Sequence, residues 1–201
     1  MASHTSARLH TLALAFCGTA CSANVVKPHA TEAALEQVGC PEGAELLQNG
    51  SFEKPEISPG SYRILSALPG WTVAFGPGAE VQRRVVGSPS DGEQLVELDS
   101  TATTGIYQDI ETTPGTSYVL CMRYSARPGV SLEDNAIEVR VGELPVDTLK
   151  ADGSKLSDTS WSEHAWRIQA RSNRTRIELR GLGPSNGVGG YIDAVSFKRL
   201  P

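Results

Sequence analysis

Two carboxylates on one strand face, Glu97 and Asp99, are the first residues in this chain whose types and spacing point to chemistry. Side chains two apart in a strand share a face. Such a pair has the makings of a glycosidase acid and base, which act about 5–9.5 Å apart across the bond they break. Nothing around them reads as a deep barrel or cleft, however, and the pair fits equally well as a structural strand end. His164, at an expected strand start, is the single histidine of the domain, and alone it reads as surface or core decoration. Gly187-Val188-Gly189-Gly190 lacks the following helix and lysine of a phosphate cradle. The residues therefore predict no catalysis.

Binding chemistry is better supplied. Sugars present C–H faces and hydroxyl edges together, so a site for them combines a flat apolar surface with planar hydrogen-bonding side chains. Arg127 and Asn135 bracket a loop over residues 128–134, and Tyr107 and Arg83 project from neighbouring strands; these four are the candidate ligand residues. Each has a bland alternative: Arg127 fastens its loop to Asp134 or Glu133, and Asn135 satisfies turn amides. Gln94 and Gln108 serve either as ligand groups or as edge hydrogen-bonders. Trp71 and Trp166 share the phase of core residues, whereas the pattern leaves Trp161 undetermined.

The cysteines depend on compartment. Residues 1–20 read as an export signal, with Arg8 in a polar start, an apolar run over Leu9 to Phe16, and Gly18-Thr19-Ala20 before Cys21. The run is too short to cross a bilayer as a helix. Small residues before a cysteine resemble a bacterial lipoprotein signal, in which Cys21 carries the lipid, although leucine is usual where Gly18 stands. The alternative is cleavage near Ala20 or Ala23 to release a soluble protein. The expected location is accordingly a lipoprotein of the outer membrane or cell surface, or a secreted or periplasmic protein, with a membrane reached only through the lipid. Export permits disulfides, and Cys40 with Cys121 is the pair left; two buried free thiols are the alternative.

The elements that must position these residues read as strands. Residues 21–40 form a tether without alternation, and 41–201 a single domain with no internal repeat. Strands are expected over Gln94–Leu98, Ile106–Glu111, Ser117–Ser125, Ala136–Val141, Ala165–Ala170, Thr175–Arg180 and Tyr191–Lys198. Weaker patterns cover Leu46–Phe52, Trp71–Phe75 and Glu80–Val85. Period-two runs such as Ile177-Glu178-Leu179-Arg180 give one buried and one wet face. With 20 glycines and 12 prolines supplying turns, the class is all-β. A net charge of −5 without Lys/Arg clusters makes nucleic acid and anionic membrane poor partners.

A succession of segments then becomes familiar: Asn49-Gly50-Ser51-Phe52-Glu53, Pro69-Gly70-Trp71, the run from Gly92 to Ser100, Gly105-Ile106-Tyr107-Gln108, the run from Tyr124 to Gly129, and Tyr191 to Phe197. The ordered set, over residues 46–199, resembles the galactose-binding-like jelly-roll domain of bacterial and plant cell-wall proteins, and more distantly carbohydrate-binding modules. The resemblance implies a two-sheet antiparallel jelly-roll β-sandwich that grips polysaccharide or glycan without catalysis. It also implies a structural calcium joining the first and last strands, for which the matching acids are Glu53 and Asp193. A structural or protein-interaction sandwich of the envelope, and a polysaccharide-active enzyme, are the rival readings.

Overall fold

The computed structural model describes residues 39–201, so the export signal, Cys21 and nearly all of the tether lie outside the described residues. Twelve strands follow in order: β1 (Ser61–Leu65), β2 (Ala67–Leu68), β3 (Trp71–Phe75), β4 (Ala79–Arg83), β5 (Leu95–Glu97), β6 (Gly105–Glu111), β7 (Ser117–Ser125), β8 (Ile137–Val141), β9 (Leu144–Leu149), β10 (Ser162–Gln169), β11 (Arg174–Gly181) and β12 (Tyr191–Arg199). They form two six-stranded sheets, β1-β4-β5-β12-β7-β10 and β2-β3-β6-β11-β8-β9, antiparallel throughout. The fold is the expected two-sheet jelly-roll sandwich.

Its cause is alternation. In β11, Ile177 and Leu179 point into the core with no exposure, while Arg176, Glu178 and Arg180 take the other face. Val81, Val96, Leu120, Met122 and Ile192 fill the layer from the first sheet, and Ile106, Ile137 and Val139 from the second. Trp71 and Trp166 are core residues, with Nε1 donated to Asn49 O (3.1 Å) and Asp147 Oδ2 (3.1 Å) respectively. Trp161 gives its Nε1 to Ser88 O at 2.8 Å.

The first expected strand, Leu46–Phe52, is a turn-rich segment instead. Only Glu45 makes a bridge there, to Lys198, with Leu46 N bonded to Phe197 O. Asn49 and Phe52 have φ of 53° and 55°, which no ladder accommodates. Asn49 closes the segment, its Oδ1 accepting Lys54 N and its Nδ2 donating to Lys54 O and Pro69 O. The pattern misses β1, β2 and β9. In β9, Pro145 breaks the signal but is tolerated because the strand is an edge that pairs with β8 alone. Cys40 and Cys121 form a disulfide with Cα atoms 5.9 Å apart, joining the start of the described chain to β7.

Candidate functional site

The outer face of the second sheet gathers the most chemistry. Cross-strand register places Thr72, Tyr107, Glu178 and Arg140 in one row, Asp109 with Arg176 in the next, and Phe75, Gly105, Arg180 and Glu138 in a third. The Arg176 guanidinium lies 3.7 Å from the Tyr107 ring centroid and is held by a two-pronged bond to Asp109, Nε to Oδ1 at 2.8 Å and Nη2 to Oδ2 at 2.9 Å. This fork keeps the Asp109 carboxyl below its usual value and raises that of Arg176. Arg180 is 5.7 Å from the Phe75 ring and bonds Glu178 Oε1 at 2.8 Å.

Local sequence explains the second aromatic. A register shift between Val73 and Phe75 turns Phe75 onto the outer face, as bulges commonly re-aim a side chain. Opposite it stands Gly105, where any Cβ would collide with the Phe75 ring, so the ring lies against bare backbone. The result is two guanidinium–aromatic platforms four residues apart on β11, about 13 Å along the strand. Between and beside them Arg140, Gly142, Glu143, Arg176, Glu178 and Arg180 line a shallow depression of 320 Å³. Arg140 bonds Glu138 Oε2 at 2.9 Å and the Glu143 carbonyl.

Of the expected ligand residues, only Tyr107 is on this face. Arg127 lies over the first sheet, where it has a different partner from either acid of its own loop. Its Nη1 reaches both oxygens of the fully buried Glu97 at 2.6 Å. Gln82 Nε2 joins Glu97 (2.6 Å) to Glu80 (2.9 Å), and Gly189 N donates to Glu97 Oε1 at 2.6 Å. Asn135, fully buried, takes Arg127 N on Oδ1 and donates to the carbonyls of Val130 and Ser131, so it closes the loop. Arg83 bonds Glu56 Oε1 and Ile57 O beside the end of β4. The four residues therefore do not converge on one site.

Glu97 and Asp99 are both committed within the fold, Asp99 to the amides of Asn186 (3.4 Å) and Gly187 (3.3 Å). Gly183-Pro184-Ser185-Asn186-Gly187 matches the spacing of a nucleophile elbow, yet no helix follows it and Ser185 Oγ bonds Thr103 Oγ1 at 2.6 Å. His164 bonds Ser162 and stacks on Trp166. Gln94 and Gln108 bind backbone, Gln94 to Phe52 O, Pro55 O and Ile57 N, and Gln108 to Gln48 N and O. The acids assigned to calcium hold the 88–94 loop: Asp193 Oδ2 accepts Ser90 N and Asp91 N, and Glu53 Oε1 accepts Glu93 N and Gln94 N. Asp193 Oδ1 accepts Ala194 N. Calcium needs several convergent oxygen ligands, and among the described residues no group of three or more His, Cys, Asp or Glu comes together for a metal.

Burial pushes the Glu97 carboxyl up to about 8, against the hydrogen bond and charge of Arg127. Burial likewise raises Asp193 to about 7, against its three amide donors. A folded value above the unfolded one gives a contribution that is full below the unfolded value and is lost as pH rises through the folded one. Stability is therefore expected to fall as pH climbs from the ordinary carboxylate value of 4.5 through 8. Urea midpoints across that window check this, with Glu97→Gln flattening the upper part; a profile that rises with pH contradicts it.

Sequence reasoning missed Arg176, Arg180, Asp109 and Phe75. The signal was present in the alternation Arg174-x-Arg176-x-Glu178-x-Arg180, which sets arginines and an acid along one strand face. Its meaning depended on knowing that β6 lies alongside, bringing Asp109 opposite Arg176 and Tyr107 opposite Glu178.

Comparison with known proteins gives a family match and several likenesses. The family model described as "Protein of unknown function (DUF642)" matches residues 45–198. A multifunctional-autoprocessing repeats-in-toxin protein of Vibrio vulnificus is 26% identical over 160 residues, 78% of this chain. The chain spans only 3% of that toxin's length. Among solved structures, TmCBM61 in complex with β-1,4-galactotriose aligns with TM-score 0.47 and 17% identity, over 79% of this chain and all of that one. A family 35 carbohydrate-binding module from Clostridium thermocellum aligns with TM-score 0.42 and 15% identity, over 68% of this chain and 97% of that one.

Proposed function

Because the chain belongs to the family of proteins of unknown function called DUF642, we propose, on its surface chemistry, that it is a non-catalytic carbohydrate-binding domain whose site is the outer face of the second sheet. The observation that carries this reading is the pair of guanidinium–aromatic platforms on one sheet face, Tyr107 with Arg176 and Phe75 with Arg180. Flat cationic and aromatic planes receive the C–H face of a sugar ring, while Asp109, Glu178 and Glu138 beside them accept its hydroxyls. The arrangement is assembled by β3, β6, β8 and β11 rather than by loops, so its geometry exists before a ligand arrives and little ordering entropy is lost on binding.

The proposal includes export. Residues 1–20 carry the signal pattern, with Cys21 as the lipid-bearing residue of a surface lipoprotein, and the disulfide supports an oxidising compartment. The proposed partner is a polysaccharide or glycan, with any membrane reached through the lipid alone.

Affinity electrophoresis or calorimetry against a panel of plant, algal and bacterial glycans tests the reading. A binding glycan is expected, and Tyr107→Ala with Arg176→Ala should weaken it at least about tenfold, equivalent to 1.4 kcal/mol, while the melting midpoint stays within a few degrees. Absence of binding throughout, or binding indifferent to both substitutions, overturns it.

A further inference from the structure

We infer that the ligand of this face is an electrically neutral glycan and that the face discriminates against polyuronates; this rests on the carbohydrate reading above and narrows it. An exposed arginine is the side chain best suited to a carboxylate, because its in-plane donors form a two-pronged bond with the two oxygens. On this face the paired donors of Arg176 and Arg140 are already engaged. Arg176 directs Nε and Nη2 at Asp109. Arg180 gives Nε to Glu178, with Nη1 4.0 Å from Glu138. Arg140 binds Glu138 and the Glu143 carbonyl, and its remaining Nε, without a partner, is buried.

What remains open is different in kind. The guanidinium faces, the aromatic rings and the unused carboxylate lone pairs suit a ring with C–H faces and hydroxyl donors. A polyuronate would have to displace Asp109 to gain the Arg176 fork, and would meet Asp109, Glu138, Glu143 and Glu178 at close range. The chain's net charge of −5 adds long-range repulsion at low salt.

The same geometry gives a specific way to reverse the preference. Asp109→Asn leaves the Arg176 fork without its carboxylate while keeping a side chain of equal size at an exposed strand position. The full chain and this variant are titrated with neutral galactan, xylan and glucan, and separately with polygalacturonate and alginate, at low and high sodium chloride. The expected result is that the natural chain binds a neutral polymer with little salt dependence and the polyuronates at least tenfold more weakly. Asp109→Asn should gain at least tenfold for a polyuronate, and that gain should fade with salt. Preferential binding of a polyuronate by the natural chain overturns the neutral assignment and leaves carbohydrate binding standing. A folded Asp109→Asn without the gain overturns the role given to the Asp109–Arg176 fork, and no binding of any polymer overturns the carbohydrate reading itself.

Discussion

Arg127→Ala is expected to destabilise the domain by about 3–5 kcal/mol, the range for removing one partner of a buried ion pair. The measurement is a urea midpoint above pH 8, where the Glu97 carboxyl has ionised, with unchanged slope. The size follows from the surroundings: Glu97 has no exposure, and Arg127 is the cation that reaches both of its oxygens. Glu80, itself raised by burial, depends on the same charge. Without Arg127 two buried carboxyl groups face one another with Gln82 as their shared donor. Combining Arg127→Ala with Glu97→Gln should restore more than half of the loss, because the amide keeps an oxygen for Gly189 N and removes the titrating group. A loss below about 1 kcal/mol, the usual worth of an exposed pair, would contradict the assignment. These changes should leave glycan binding at the second sheet unaltered once folding is restored, which separates the cluster from the proposed site.

The second large effect is that of the disulfide. Cys40 and Cys121 are 81 residues apart in sequence. In the chain-entropy account, closing a loop of that length stabilises the folded state by about 4 kcal/mol. Reductant should lower the melting midpoint of the natural chain by many degrees, whereas a Cys40→Ala, Cys121→Ala double variant should start low and be insensitive to reductant. An unchanged midpoint under full reduction would return the two cysteines to the alternative of buried free thiols.

The sandwich was legible in the sequence because period-two alternation is local: Ile177 and Leu179 announce a buried face from within their own strand. Strand pairing is not local. Neither Arg127 nor Glu97 carries a mark that a β5 carboxylate will meet a side chain 30 positions later, so Arg127 was open to two nearer acids, Asp134 and Glu133, that it does not use. The expected binding loop failed for a related reason. An asparagine fully buried in a turn has the same letters around it as one that faces a ligand, and Asn135 spends its amide on its own loop. Tyr107 was placed correctly as an outward strand residue, but its partner comes from a strand nearly seventy positions on. The Leu46–Phe52 pattern misled because a left-handed Asn49 and Phe52 leave the hydropathy sequence untouched while removing the ladder.

The attachment point of the disulfide also has a mechanical consequence. Cys121 lies within β7, flanked by β12 and β10, and not on an edge strand. Tension applied to the chain ahead of Cys40 therefore enters the sheet at an interior strand, and tension on the far end enters through the neighbouring β12. The two points of entry lie side by side on paired strands, with Ser196 of β12 opposite Cys121 of β7.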